Sequence, residues 1–155
     1  MPIIRSPLDE KARQSTGETL QRTLTDLIDL GLLAKQAHWN LTGPGFTSLH
    51  LQLDAVADTA REHSDVVAER AVTIGVNPDG RASTVSAMSR LPGLPEGYLG
   101  DRQVVQAFCE LLAVAVTGLR EAVQLTGESD PVSQDVLIGA TAAIEKHYWM
   151  FQAQQ

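Results

Sequence analysis

The number and spacing of the helical segments constrain the fold more than any other feature of the sequence. Four amphipathic segments, each roughly 20–28 residues long, repeat apolar residues at three- and four-residue steps. They are predicted over Thr16–Leu41, Thr47–Ile74, Asp101–Thr126 and from Pro131 to the end of the chain. The first and last connections are short, whereas the middle connection runs from Gly75 to Gly100. A long middle crossover places the second and third helices parallel, so we predict an all-α four-helix bundle.

Helix-start signals support these boundaries. Ser15 followed by Glu18 has the form of a capping box for the first helix. Asp101 is predicted to cap the third helix, and Asp130 followed by Pro131 is typical of a capped helix start. No segment alternates with a period of two, so no sheet is expected.

The whole chain fits a single domain over residues 1–155, and residues 1–15 are predicted to form an extended arm. A short helix is expected within residues 82–91 of the crossover. The single Cys109 excludes an intrachain disulfide and a cysteine-based zinc site. We expect a cytoplasmic protein, because no apolar run approaches a membrane span and the N-terminus lacks the apolar stretch of a secretory signal.

Four potential metal ligands lie on one face of the second helix. At 100° per residue from His50, Asp54 falls at about 40°, Asp65 at about 60° and Glu69 at about 100°. The apolar residues of this helix occupy a different arc, near 260–340° by the same step. Taken alone, His50 and Asp54 could be a capping-turn pair on an exposed helix, and Asp65 and Glu69 could be solvated acids.

The axial spacing of these ligands predicts a site shared between chains. Asp54 and Asp65 are separated by ~16 Å along the helix at 1.5 Å per residue, whereas metal–ligand bonds are about 2 Å. One ion therefore cannot use both pairs from one chain. An antiparallel second copy, related by a twofold axis near Thr59 and Ala60, would place His50 and Asp54 opposite the other chain's acidic pair. Two identical shared sites would result.

His38, near the end of the first helix, is the predicted fifth ligand because the turn to the second helix is short. A packed histidine is the alternative. Two imidazoles and three carboxylates suit iron, zinc or manganese better than calcium. A two-metal hydrolase remains open, although the sequence contains no HExxH motif of a zinc protease.

Several motifs together resemble the Dps proteins, the ferritin-like family named as DNA-binding proteins of starved cells. They are KQAHWNLTGPGF, SLHLQLD and SDVVAERAVTIG in the first two helices, with VSQDVLI and HYWMF in the fourth. The resemblance implies a ferritin-like bundle and a hollow homododecamer that oxidises Fe(II), usually with hydrogen peroxide or else O2, and stores ferric mineral. It implies that His38, His50 and Asp54 act with Asp65 and Glu69 of a twofold-related copy, and that the protein protects against oxidative damage.

Further candidate residues lie outside these five ligands. Trp39 could intercept stray oxidising equivalents or serve as an interface aromatic. Asp58 lies on the ligand arc and could be a secondary metal contact, whereas His63 is expected to be structural or exposed. The candidates for an acidic iron-entry pore are Glu121, Glu128, Asp130 and Asp135.

Charge separates this sequence from the DNA-binding members of that family. The formal net charge is −7, so twelve copies would carry 12 × −7 = −84. No Lys/Arg-rich segment follows the fourth helix, and only three lysines occur in the sequence. Because a negative field repels duplex DNA, we expect weak or no DNA binding. A DNA-compacting nucleoid protein and a purely structural cage are the remaining alternatives.

Overall fold

The computed structural model describes residues 4–155 and consists almost entirely of helices. The elements are α1 (Glu10–Asn40), β1 (Leu41–Thr42), α2 (Phe46–Thr73), α3 (Ala82–Met88), β2 (Leu99–Gly100), α4 (Asp101–Thr126) and α5 (Pro131–Gln152). Helix α1 packs along α2 and α4 packs along α5, and the two pairs meet through α1–α4 and α2–α5 contacts. The predicted four-helix bundle with a helix-containing crossover is confirmed.

The core lies between the four long helices, where their apolar stripes converge. Leu20, Leu53, Leu112 and Ile144 contribute one buried side chain from each long helix. In the described part of the chain, α4 is the one helix long and apolar enough to cross a membrane. Half of its most apolar window is buried in the bundle, as in a core helix of a globular protein.

The crossover is fastened to α1 by polar contacts on both sides of α3. Arg90 donates from its backbone N–H and its guanidinium to the buried carboxylate of Asp26, at 3.0 Å and 2.6 Å. Ser89 donates to Asp29, and Gln21 bonds the backbone of Asp79. These contacts hold the crossover along α1.

The first helix begins earlier than predicted. Helix α1 starts at Glu10, and the Asp9 carboxylate caps it by accepting from the Ala12 N–H at 2.9 Å. The predicted capping box of Ser15 and Glu18 is wrong, because both residues already lie inside the helix. The predicted arm therefore ends at Asp9, and its residues 1–3 lie outside the described residues.

A very short parallel sheet also contradicts the prediction that no sheet forms. Leu41 pairs with Leu99, and Thr42 pairs with Gly100. Strands of two residues carry no detectable alternation, which explains why the sequence pattern did not indicate them. The sheet joins the end of α1 to the start of α4.

The start of α4 differs in detail from the prediction. Gly100 occupies the N-cap position and Asp101 is the first helical residue. The Asp101 carboxylate instead accepts from the Gly45 N–H at 2.9 Å, which fixes the turn before α2. Helix α2 begins at Phe46, one residue before the predicted start. The predicted cap of α5 is confirmed, because Asp130 accepts from the backbone N–H groups of its first turn.

Candidate metal centre

His38 and His50 face each other where the end of α1 passes the start of α2. Their rings stack with centroids 3.5 Å apart and an interplanar angle of 21°. His38 Nδ1 lies 2.9 Å from the backbone carbonyl oxygen of His50, and His50 Nδ1 lies 3.0 Å from that of His38. Each imidazole is therefore held by the backbone of the other residue.

This reciprocal pairing determines which ring nitrogen can bind a metal. A carbonyl oxygen only accepts hydrogen bonds, so each Nδ1 must carry the hydrogen. In the neutral imidazole the lone pair is then on Nε2, which is the usual arrangement for a histidine ligand oriented by a backbone carbonyl. His38 is 7 % exposed and His50 is half-buried, so the pair is positioned before any ion arrives.

The third candidate ligand, Asp54, lies beside the histidines and accepts a hydrogen bond from a lysine. Its Oδ1 is 3.3 Å from His38 Nδ1 and 2.5 Å from Lys35 Nζ. The hydrogen bond from Lys35 lowers the pKa of Asp54, and the nearby imidazoles act in the same direction. Lys35 Nζ also lies 6.0 Å from the ring centroid of the exposed Trp39. The Lys35 ammonium group is therefore the cation that the Asp54 carboxylate binds in this structure.

The second acidic pair lies further along α2. Asp65 and Glu69 are both exposed, and neither side chain forms a hydrogen bond or ion pair within residues 4–155. Across that same range, no three His, Cys, Asp or Glu side chains are grouped so that one chain could hold an ion. The candidate ligands therefore lie in two separated groups on the chain, the histidine pair with Asp54 and the acidic pair Asp65 and Glu69.

The four candidate pore carboxylates have different environments. Asp130 is 3 % exposed and accepts from Arg70 at 2.7 Å, so it caps α5 inside the protein and cannot line a pore. The burial of Asp130 therefore contradicts the prediction that it is a pore carboxylate. Glu121 is exposed but lies 3.5 Å from Arg90. Glu128 and Asp135 are exposed and remain predictions.

The secondary candidates on α2 are separated from the histidine pair. Asp58 is exposed and His63 is half-buried. On the neighbouring face, Thr59 bonds the buried His147 of α5, with 2.9 Å between Thr59 Oγ1 and His147 Nε2. Burial lowers the pKa of His147, and the charge of Lys146 acts in the same direction.

Sequence reasoning missed three residues that shape this centre. Lys35 lies three residues before His38, one helical turn away, so its position opposite Asp54 could have been inferred from the predicted turn. Phe46 stacks on His50 with 4.9 Å between ring centroids. Asp101 comes from α4, and no local signal indicates that it bonds the Gly45 turn.

Comparison with known proteins places this arrangement in a family. A model of the ferritin-like domain matches residues 17–155. A curated relative from Deinococcus radiodurans, DNA protection during starvation protein 2, is 38 % identical over 136 residues, which is 88 % of this chain. The chain belongs to the Dps family of ferritin-like proteins. It spans 56 % of the length of that Deinococcus relative.

Two further Dps proteins match over almost their whole length. The DNA protection during starvation protein of Agrobacterium fabrum is 30 % identical, with coverage of 96 % of this chain and 93 % of the relative. The structure of Dps from Microbacterium arborescens in the high iron form superposes with a TM-score of 0.91 at 28 % identity, and 97 % of each chain is covered. The Dps likeness therefore extends over all four long helices.

Proposed function

We propose that this chain is a ferroxidase and iron-storage subunit. Fe(II) is its substrate, hydrogen peroxide is the preferred oxidant and O2 an alternative one. The ferric product is stored inside a hollow homododecamer in the cytoplasm, which limits oxidative damage. The observation that carries this proposal is the division of the ligands on α2. A histidine-containing group lies at one end, and an unpaired acidic pair lies too far along the helix to reach the same ion.

The two groups complement each other across a twofold axis. We propose that His38, His50 and Asp54 of one chain face Asp65 and Glu69 of a second chain, with two such sites in each dimer. Neutral imidazoles bind Fe(II) without holding it too tightly, whereas carboxylates favour the Fe(III) product. Glu69 is the proposed main or bridging carboxylate. The Dps structure from Microbacterium arborescens is named for its high iron form, which supports iron as the substrate.

The oxidation balances without any further reactant. Two Fe(II) ions each lose one electron, and one hydrogen peroxide molecule accepts both and gives two hydroxide ions. Pairing the electrons in one step avoids release of hydroxyl radical. The backbone carbonyls keep both imidazoles in the Nδ1–H form, so Nε2 is available throughout. Lys35 must leave Asp54 when a cation takes its place, and its departure keeps the local charge from rising further.

The test is to add Fe(II) anaerobically to purified protein, then peroxide, and to follow ferric absorbance. The His50→Ala/Asp54→Ala variant should lose both Fe(II) binding and the fast initial rate. The matched control is His63→Ala, which removes a histidine of the same helix outside the histidine pair and should behave like wild type. Oxidation no faster than in buffer, or an unchanged rate in the double variant, would contradict the proposal.

DNA compaction is the main alternative, because relatives carry names that refer to DNA protection. We propose that protection here works through iron chemistry and that DNA binding is weak or absent, since the net charge of −7 repels phosphate. Retention of linear duplex DNA by the metal-free protein in a low-salt gel shift would refute this. The hydrolase alternative gains no support from two clefts on the described part of the chain, because neither is lined by His38, His50 or Asp54.

A further inference from the structure

Three aromatic rings form a column at the start of α2. The Phe46 ring lies 4.9 Å from the His50 ring, measured between centroids, with an interplanar angle of 27°. His50 in turn stacks on His38 at 3.5 Å and 21°. Phe46 is 41 % exposed and His38 is 7 % exposed, so Phe46 covers the solvent end of the column. His50 is thus enclosed between a histidine and a phenyl ring.

His50 needs such a contact more than His38 does. His38 is packed in the protein interior, whereas His50 is only half-buried. A single hydrogen bond from Nδ1 fixes one atom of the His50 ring, but it leaves rotation about the side-chain bonds open towards solvent. Because Phe46 occupies that side, an outward rotation of the imidazole would break the stack. Stacking and the hydrogen bond together define where Nε2 points.

Phe46 is itself held by groups that do not belong to the metal ligands. Its N–H donates to the Gly43 carbonyl at 3.1 Å. Gly43 has a φ of 118°, a conformation that favours glycine, and Gly45 donates to the Asp101 carboxylate of α4. A Cβ added at Gly43 would lie 3.0 Å from Asp101 Cγ, so the turn fits closely against α4. The backbone of Phe46 is therefore held by this turn and, through Gly45, by α4.

We propose that Phe46 is a positioning residue that holds the His50 ring in place, so that Nδ1 keeps its hydrogen bond to the His38 carbonyl and Nε2 is directed for metal binding. Phe46 offers no ligand atom and acts only through His50. The inference rests on the proposed function in naming iron as the ion, but the orientation of the ring is a property of the metal-free protein. Planarity is the important feature of the Phe46 side chain, since a stacked pair requires two flat rings.

The test compares Phe46→Leu, which keeps apolar bulk, with Phe46→Tyr, which keeps a flat ring. Tyr98→Leu is the control, because it removes another exposed aromatic side chain, one in the crossover. The metal-free proteins are labelled with 15N-histidine, sedimented and measured by solid-state NMR, with His50 assigned through a His50→Gln variant. Co(II), a spectroscopic substitute for Fe(II), is then titrated into each protein.

Phe46→Leu should show His50 in more than one tautomer or ring position and should bind Co(II) roughly two- to twelve-fold more weakly. Phe46→Tyr and Tyr98→Leu should match wild type in both measurements. The proposal is overturned if Phe46→Leu retains the single His50 signal and the wild-type Co(II) affinity, or if Phe46→Tyr is as impaired as Phe46→Leu. If Phe46→Leu does not assemble, Phe46→Met takes its place, and the results expected of Phe46→Leu are then expected of Phe46→Met.

These results separate the two proposals. If wild type binds Co(II) at His50 but oxidises Fe(II) no faster than buffer, the ferroxidase proposal fails. The role of Phe46 is then still decided by comparing the His50 NMR signal of Phe46→Leu with that of wild type. If oxidation is fast and Phe46→Leu leaves His50 unchanged, the ferroxidase proposal stands and the role of Phe46 is refuted.

Discussion

Replacing Asp130 by alanine should destabilise the chain strongly, although the sequence suggests a pore carboxylate at this position. Asp130 is 3 % exposed, caps α5 and accepts from Arg70, whose guanidinium also donates to Ser133. Loss of the cap costs about 1 kcal/mol. Removing one partner of a buried ion pair costs about 3–5 kcal/mol, and the lower end applies because Arg70 is 14 % exposed and can be partly hydrated. We expect a total of about 3–5 kcal/mol.

The assay is urea unfolding at a fixed protomer concentration, because assembly makes apparent stability concentration-dependent. Asp135→Ala is the matched control, since it removes an exposed carboxylate one turn further along α5 and should change stability by no more than about 0.5 kcal/mol. Asp130→Asn keeps a side-chain acceptor for the cap and should be less destabilising than alanine. Equal stability of Asp130→Ala and Asp135→Ala, with slower iron uptake only in the former, would refute the structural assignment and restore the pore interpretation.

The same carboxylate predicts a pH dependence. Burial alone raises the pKa of Asp130, but the hydrogen bonds from Ser133 and Arg70 outweigh it and hold the pKa below its ordinary value. Because the pKa of Asp130 is lower in the folded protein than in the unfolded chain, where it is about 3.9, the carboxylate stabilises the fold at pH values above about 3.9. This contribution is lost as the pH falls through the folded-state pKa. The stability difference between wild type and Asp130→Asn should therefore narrow below about pH 4.

Three other predictions follow from single contacts. Lys35→Met should tighten Co(II) binding, measured by titration, because no ammonium group then competes for Asp54; weaker binding would contradict this. Gly43→Ala should cost at least about 1 kcal/mol in urea unfolding, because φ is 118° and the new Cβ would approach Asp101; unchanged stability would contradict the close fit. His147→Gln should lessen the loss of stability as pH falls below about 6.5, because the lowered folded-state pKa makes protonation favour the unfolded chain. Identical pH profiles would exclude that explanation.

The long helices and the division of the ligands could be predicted because both depend on local periodicity. The 3.6-residue repeat of apolar side chains defines the bundle, and the same repeat places the ligands of α2 on one face. The start of α1 was predicted wrongly, because Ser15 followed by Glu18 has the form of a capping box, whereas the Asp9 carboxylate caps the helix six residues earlier. The cap of the longer helix is the one that forms, since α1 continues through Ser15 without interruption.

The contacts that orient the ligands could not be predicted, because they join residues distant in sequence. Reciprocal bonding of the histidines depends on how closely α1 and α2 pack, and Asp101 reaches Gly45 across 56 positions. Asp130 is buried against Arg70, which comes from another helix. Its negative charge at the start of α5 was therefore not enough to predict that it lines a pore. Local sequence patterns indicated which residues are candidates for the metal site and the pore, whereas tertiary packing determined which of these side chains stay exposed to solvent.

The central claim, that each site is shared between two chains, is tested most directly by mixing two inactive variants. One variant is His50→Ala/Asp54→Ala and the other is Asp65→Ala/Glu69→Ala. The two are co-expressed with different tags, so that assemblies containing both chains can be purified. In random pairs, about half of the dimers contain one chain of each kind, and each such dimer has one intact site out of two.

We predict that the mixed assemblies recover about one quarter of the wild-type initial rate of Fe(II) oxidation. Each variant assembled alone should stay at the rate of buffer. If the five ligands acted within one chain, no mixed assembly would contain an intact site. Mixed assemblies as inactive as the separate variants would therefore contradict the shared site.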